Sequence, residues 1–238
     1  MTAALHVHPT TALAERVLLP GDPGRALLLA QALLEQPKMF NHNRGLWGYT
    51  GTAADGAPLT IQSTGMGGPS AAIVIEELVQ LGARRLVRVG TCGALVGGFA
   101  LGDTIVAREA VCADGASRAL GAGERVAADA ALTAALEAAA ERELGQAAAS
   151  GAVVTTDLFY DPDGNHADPA SDPAGPAVLA IEMETATLFR LAELRGVEAG
   201  CVLAVSDLLG PARGRIDAEA MEAAAQRIGR IGAAALAT

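Results

Sequence analysis

RVLLPGDPGRALLLAQALLEQP, residues 16–37, changes its periodicity halfway. Arg16 to Leu19 is short and mostly apolar, the pattern of a buried strand. Pro20-Gly21-Asp22-Pro23-Gly24 closes it as a turn, and a helix follows from about Arg25 to Glu35, stopping before Pro37. A buried strand that feeds a helix is the building unit of a layered α/β protein.

The alternation continues outward from this unit. Trp47 to Thr52 and Leu59 to Ser63 predict a hairpin around Asp55-Gly56. Pro69 opens a helix with Ala72, Ile75, Leu78 and Val79 on its apolar side and Gly82 at its end. Leu86 to Val89 is a strand running into Gly90-Thr91-Cys92-Gly93, and Asp103 to Val111 a longer one. Beyond these come a helix from Ala128 to Leu144, a strand from Ala152 to Thr156, a helix from Glu182 to Arg195 and a buried strand from Gly200 to Val205. A last helix starts at Asp217, a fitting N-cap. Gly115 to Gly123 and Asp161 to Pro176 read as loops; the second holds four Pro and four Asp, too many Pro for a regular helix. Buried strands flank both, so neither marks a domain boundary. Residues 1–238 therefore read as one α/β domain with a mostly parallel or mixed sheet.

Composition narrows the function. Apolar residues make up 51% of the 238, which excludes a disordered chain. A formal net charge of −10 argues against a nucleic-acid partner but leaves a small anion compatible, because a few local Arg side chains outweigh distant charge. Cys92, Cys112 and Cys201 are odd in number and far apart, which fits free thiols in a reducing compartment and no zinc site. No secretory signal and no membrane-spanning run is visible, so a soluble cytoplasmic protein is expected.

Four strand ends carry unusual residues, and ligands of such sheets bind where strands turn into helices. Leu19 to Arg25 combines a glycine-rich turn, a helix N-terminus and an Arg: either an anion cradle or a tight turn with a surface Arg. Arg88 lies on the same strand face as Gly90 within an apolar run, followed by the Thr91 hydroxyl. A buried Arg needs an anionic partner, which is either a ligand or an internal Asp or Glu. Glu182-Met183-Glu184 puts two carboxylates at a helix start, where the helix dipole favours them and where a pocket-facing one would accept hydrogen bonds from a sugar diol. Val205-Ser206-Asp207 closes a core strand; Asp207 is either a general acid or a cap.

Together LPGDPGRA (19–26), NRGLWGYTG (43–51), STGMGGPSAAIVIEEL (63–78), RVGTCGA (88–94), DLFYDPDG (157–164), IEMETA (181–186) and VSD (205–207) resemble the nucleoside phosphorylase family. The similarity is to its hexameric branch, which includes bacterial purine nucleoside and uridine phosphorylases. The resemblance implies a single domain with a central mixed, partly barrel-like sheet flanked by helices. It implies phosphorolysis of a nucleoside, inorganic phosphate as co-substrate, no cofactor and no metal. Gly21, Arg25, Arg88 and Thr91 would bind phosphate, joined by Arg44 from a neighbouring subunit. Glu184 would hold the ribose hydroxyls with Met183 along the sugar, and His6 would reach a neighbour's site to meet the 5′-hydroxyl. Phe159, Glu182 and Ser206 would lie at the base, and Asp207 would protonate N7 of a purine. A homohexamer built as a trimer of dimers, acting in purine salvage, is the corresponding expectation.

Within the family, Asp207 and DLFYDPDG favour a purine, since the loop at 161–176 lacks the Gln and Arg expected for reading uracil. STGMGGPSAAIVIEELVQLG and Asp114 to Ser117 look more like the uridine branch. Arg25, Arg44 and Arg88 speak against a nucleosidase that uses water, and Asp207 with Glu184 against a non-catalytic binding relative. Purine members carry an assisting Arg near the start of the last helix. An ungapped count reaches Ala220 there, which leaves Arg213 or Arg215 as substitutes. The family also places a helix between the Phe-Tyr and Glu-Met-Glu segments, which the Pro-rich sequence opposes.

Overall fold

The computed structural model describes residues 4–160, 177–209 and 213–238. The chain opens with β1 (Arg16–Leu19) and α1 (Pro23–Leu33), followed by β2 (Glu35–Asn41), β3 (Gly48–Thr52) and β4 (Pro58–Gln62). Next come α2 (Gly68–Leu81), β5 (Arg85–Ala94), β6 (Thr104–Cys112), α3 (Gly115–Ala119) and β7 (Arg125–Ala127). Then follow α4 (Ala130–Leu144), β8 (Ala149–Thr155), β9 (Val178–Glu182), α5 (Thr185–Arg195), β10 (Glu198–Leu208), β11 (Gly214–Arg215) and α6 (Ala218–Leu236). Local chemistry sets the helix starts: Asp22 accepts the Arg25 N–H at 2.7 Å, and Asp217 caps α6 through the Ala220 N–H at 2.8 Å.

All eleven strands share one mixed sheet. β4, β1, β5 and β10 run parallel as neighbours, with β3 and β2 added antiparallel outside β4. The other end curls into a ring: β10 pairs with β6, β6 with β8, β8 with β9, and β9 returns to the end of β5 through Gly93 and Ala94. The barrel-like closure expected of the family is thus present, and it brings the C-terminal ends of β1, β5 and β10 to one rim.

Strand alternation divides the core into two layers. Leu86 and Cys92 of β5, with Cys201, Leu203 and Val205 of β10, pack on the side of α2 and α5. Val87, Val89, Val202 and Ala204 face α1, α4 and α6. Each fully buried Leu or Val contributes about 1.5–3 kcal/mol of transfer free energy. On β5 that alternation delivers Arg88 to the α2–α5 side. Small residues let α6 lie close to the sheet: a Cβ at Gly232 would stand 2.9 Å from both Leu18 Cδ2 and Val89 Cγ1.

Several elements differ from expectation. α1 ends at Leu33, and Glu35 to Asn41 is an edge strand whose outer residues are exposed, so it carries no apolar alternation to read. Glu182 ends β9 and precedes α5, which starts at Thr185. The expected loop at 115–123 contains α3, capped by Asp114 through the Ser117 N–H at 2.8 Å. The Asp161 to Pro176 segment, with the family helix there, lies outside the described residues.

The hairpin at Asp55-Gly56 is pinned to β1 by a forked pair: Arg16 Nη1 and Nη2 donate to Asp55 at 2.5 and 2.6 Å. The hydrogen bond from Arg16 holds the Asp55 carboxyl down at about 2. A carboxyl depressed by folding stabilises the native state above its unfolded pKa, about 3.9, and loses that contribution as pH falls through the folded value. Asp55→Asn is therefore expected to lower Tm at neutral pH, with the gap from wild type closing between about pH 4 and 2. A gap independent of pH would reject this account.

Candidate active site

Four chain segments meet at the rim. β1 pairs Leu19 with Arg88 of β5, so the turn at Pro20 to Gly24 lies beside Arg88. The loop after β4 docks on that turn: the Thr64 N–H donates to Pro20 O at 2.9 Å and the Gly65 N–H to Gly21 O at 3.0 Å. The two loops are packed so tightly that a Cβ on Gly21 would lie 3.2 Å from Gly65 O. Residues 182–184, between β9 and α5, complete the cluster.

Arg88 is the hub. Its Nε donates to Glu182 Oε2 at 3.0 Å and its Nη2 forms an ion pair with Glu184 Oε2 at 2.5 Å, with only 6% of the side chain exposed. The guanidinium folds back over Gly90, where a Cβ would come within 2.7 Å of Arg88 Cζ. Burial alone would lower the Arg88 pKa, but Glu184 and Glu182 outweigh it and hold it above the ordinary value. The internal-carboxylate alternative for Arg88 is therefore realised in the ligand-free protein.

The two glutamates have separate duties. Glu182 has no exposed side-chain surface. It accepts the Thr155 hydroxyl at 2.5 Å and the backbone N–H groups of Glu184 and Thr185 at 2.8 and 2.9 Å. It thus neutralises the N-terminus of α5 and fixes Arg88. Its oxygens are taken up inside the protein, by Arg88, Thr155 and the start of α5. Glu184 uses one oxygen for Arg88 and the other for the Gly67 N–H at 2.5 Å. A carboxylate offers about four lone-pair sites, so two remain for a diol. Burial, only partly offset by Arg88, pushes its pKa up.

Arg25 is different. Burial and the nearby positive charge of Arg88 lower its pKa despite the opposing pull of Asp22 and Glu184. Its guanidinium has no hydrogen-bond or ion-pair partner among the described residues. A half-buried cation beside another cation, over a glycine turn, is an arrangement that can accept an anion. Thr91, half-buried on the same strand as Arg88, has an equally unengaged hydroxyl among the described residues.

Near the end of β10, a bulge between Val205 and Asp207 shifts the β5–β10 register so that Asp207 pairs with Gly93. The Ser206 hydroxyl lies 2.7 Å from Asp207 Oδ2 and 3.1 Å from Cys92 O. β11 pairs Arg215 with Asp207, and Arg215 Nε stands 3.8 Å from Asp207 Oδ1. Of the two Arg candidates, Arg215 thus lies near Asp207, on the short strand before the last helix, while Ala220 closes the α6 cap.

Met183 lines a cleft of about 670 Å³ with Met66, Gly67, Pro69, Ala116 and Asp157. Asp157 accepts the Gly115 N–H at 2.7 Å, which ties the start of the Phe-Tyr segment to α3. Phe159 is 52% exposed and packs edge-on to Tyr160 with ring centroids 4.9 Å apart.

His6 and Arg44 stand apart from this cluster. Neither has a hydrogen bond to residues 19–25, 88–91 or 182–184 among the described residues. Arg44 is exposed in a single helical turn, Asn43–Gly45, at φ 57°, a left-handed conformation uncommon outside glycine. His6 is bonded to Glu77. The sequence reading missed Gly67 and Thr155 as partners of the glutamates. Gly67 stands in a glycine-rich stretch that signalled it; Thr155 gave no signal, because its role depends on the β8–β9 register. Among the described residues no cluster of His, Cys, Asp or Glu could hold a metal ion. No helix there is long and apolar enough to cross a membrane.

A family model described as "Phosphorylase superfamily" matches residues 15–237. A "Purine nucleoside phosphorylase DeoD-type" of Geobacillus kaustophilus is 40% identical over 209 residues, covering 86% of each chain. One of the same description from Caldanaerobacter subterraneus subsp. tengcongensis is 41% identical over 202 residues, 83% of this chain and 84% of its own. Another from Oceanobacillus iheyensis is 39% identical over 199 residues, 82% and 83%.

Proposed function

The chain belongs to the phosphorylase superfamily, and from that premise we propose that it phosphorolyses purine nucleosides to free purine and ribose or deoxyribose 1-phosphate. The observation that carries the reading is Arg25: a half-buried guanidinium beside Arg88 and the Gly21 turn, with no hydrogen-bond or ion-pair partner among the described residues. A nucleosidase that takes water would have no use for it, whereas phosphate as co-substrate supplies the missing anion. No other cofactor enters the scheme.

Arg25, Arg88, the Thr91 hydroxyl and the Gly21 turn hold phosphate against C1′ of the sugar, where positioning replaces a bimolecular encounter. Glu184, already fixed by Arg88 and Gly67, accepts the sugar hydroxyls, and Met183 covers the sugar. A phosphate oxygen forms the new C1′–O bond as the C1′–N9 bond breaks, and that electron pair leaves with the base. Asp207 gives its proton to N7 and so removes the charge developing there. Arg215 draws near as Asp207 becomes an anion, and Phe159 and Ser206 flank the base. Glu182 acts at a distance, through Arg88.

His6 and Arg44 serve the site of a neighbouring subunit in this reading, within a homohexamer built as a trimer of dimers. That neither bonds to the chain's own cluster among the described residues supports that assignment. Three buried free thiols agree with a cytoplasmic enzyme of purine salvage. Product analysis tests the chemistry: inosine and phosphate should yield ribose 1-phosphate by phosphorus NMR. Free ribose as the product would make the enzyme a hydrolase.

A further inference from the structure

Glu77, on α2, has no part in the chemistry above, yet four nitrogen groups of residues 5–7 meet its carboxylate. Oε2 accepts the Val7 N–H at 2.6 Å and the His6 N–H at 2.9 Å. Oε1 accepts the Leu5 N–H at 3.0 Å and lies 2.8 Å from His6 Nδ1. Burial works against this charge, but the donors from Val7 and His6 outweigh it and keep the carboxyl below its usual range. An ionised carboxylate only accepts, so the hydrogen between it and the ring sits on Nδ1. In the neutral ring Nε2 is then left as a hydrogen-bond acceptor.

The same arm is stitched to the loop that carries Arg44. The Asn43 side-chain amide donates to His6 O at 2.9 Å, and the Asn41 side-chain oxygen accepts the His8 N–H at 2.9 Å. Val7 is fully buried in the core between them. His6 and Arg44 therefore sit on one tethered unit whose anchor is Glu77.

We infer that Glu77 is a positioning residue: it fixes the His6 ring and its tautomer so that Nε2 accepts the hydrogen of a nucleoside 5′-hydroxyl in the neighbouring subunit. This rests on the His6 assignment in the proposed function and adds the orientation, the tautomer and the residue that imposes them. Nucleosides with a free 5′-hydroxyl, a donor, are favoured over 5′-deoxy analogues.

The test compares inosine with 5′-deoxyinosine in wild type, Glu77→Gln and His6→Ala. Wild type is expected to show a KM about tenfold lower for inosine, the size of one well-made hydrogen bond. Glu77→Gln should erase that gap by raising KM for inosine about tenfold more than KM for 5′-deoxyinosine. An equal loss on both substrates would make Glu77 merely structural and overturn the inference, as would an intact gap. His6→Ala separates the two levels. If it closes the gap and Glu77→Gln does not, only the Glu77 inference fails; if it leaves the gap, the His6 assignment fails first. A measurement on the wild-type protein needs no variant. Nitrogen NMR at about pH 8, above the ordinary imidazole range, should find His6 protonated on Nδ1 alone, and a proton on Nε2 would overturn the inference.

Discussion

Asp207→Asn is expected to lower kcat for inosine by about 10²-fold or more, the size of general acid effects, with little change in Tm. Asparagine is nearly isosteric and keeps an acceptor for the Ser206 hydroxyl, now 2.7 Å from Asp207 Oδ2. What it lacks is a proton to give to N7. The side chain is 22% exposed and sits outside the bulge, so the β5–β10 pairing does not depend on its charge. A substrate whose leaving group needs no proton, such as a sugar bearing a nitrophenolate, should be spared. Equal turnover of inosine by the variant would remove Asp207 from the mechanism, and equal losses on both substrates would make its role one of shape.

The other large effect is expected at Arg88. Arg88→Ala leaves Glu182 and Glu184 buried without their cation, and breaking a buried pair this way costs about 3–5 kcal/mol. In a chain of this size that corresponds to a fall in Tm of roughly 10 °C. The KM for phosphate should rise in the same variant, because the anion then loses one of the guanidinium groups that hold it. Arg88→Lys separates the two roles: it returns a charge to the glutamates without the fork that meets two oxygens at once. It should recover much of the Tm and little of the phosphate affinity. A full recovery of both, or a loss of Tm with phosphate KM unchanged, would make Arg88 a structural ion pair only.

Much of the scaffold was legible because it follows from short-range rules. The strand–turn–helix at residues 16–33, the hairpin around Asp55 and the cap at Asp217 need only periodicity and turn chemistry. β2, β7 and β11 did not announce themselves, since edge strands and very short strands need no buried alternation. The different partners of Glu182 and Glu184 were hidden for a different reason. Two carboxylates two residues apart look equivalent in sequence, and only the end of β9 against α5 turns one inward to Thr155 and the other toward Gly67. Arg215 was one of two candidates until β11 paired it with Asp207. The role of Glu77 could not be read at all, because it joins residues about seventy positions apart.

The most direct test of phosphorolysis of purine nucleosides is release of free base from inosine, adenosine and uridine by the purified protein, each with and without inorganic phosphate. The account predicts release from the two purine nucleosides only when phosphate is present, and little from uridine. Release without phosphate, or release from uridine alone, would contradict it.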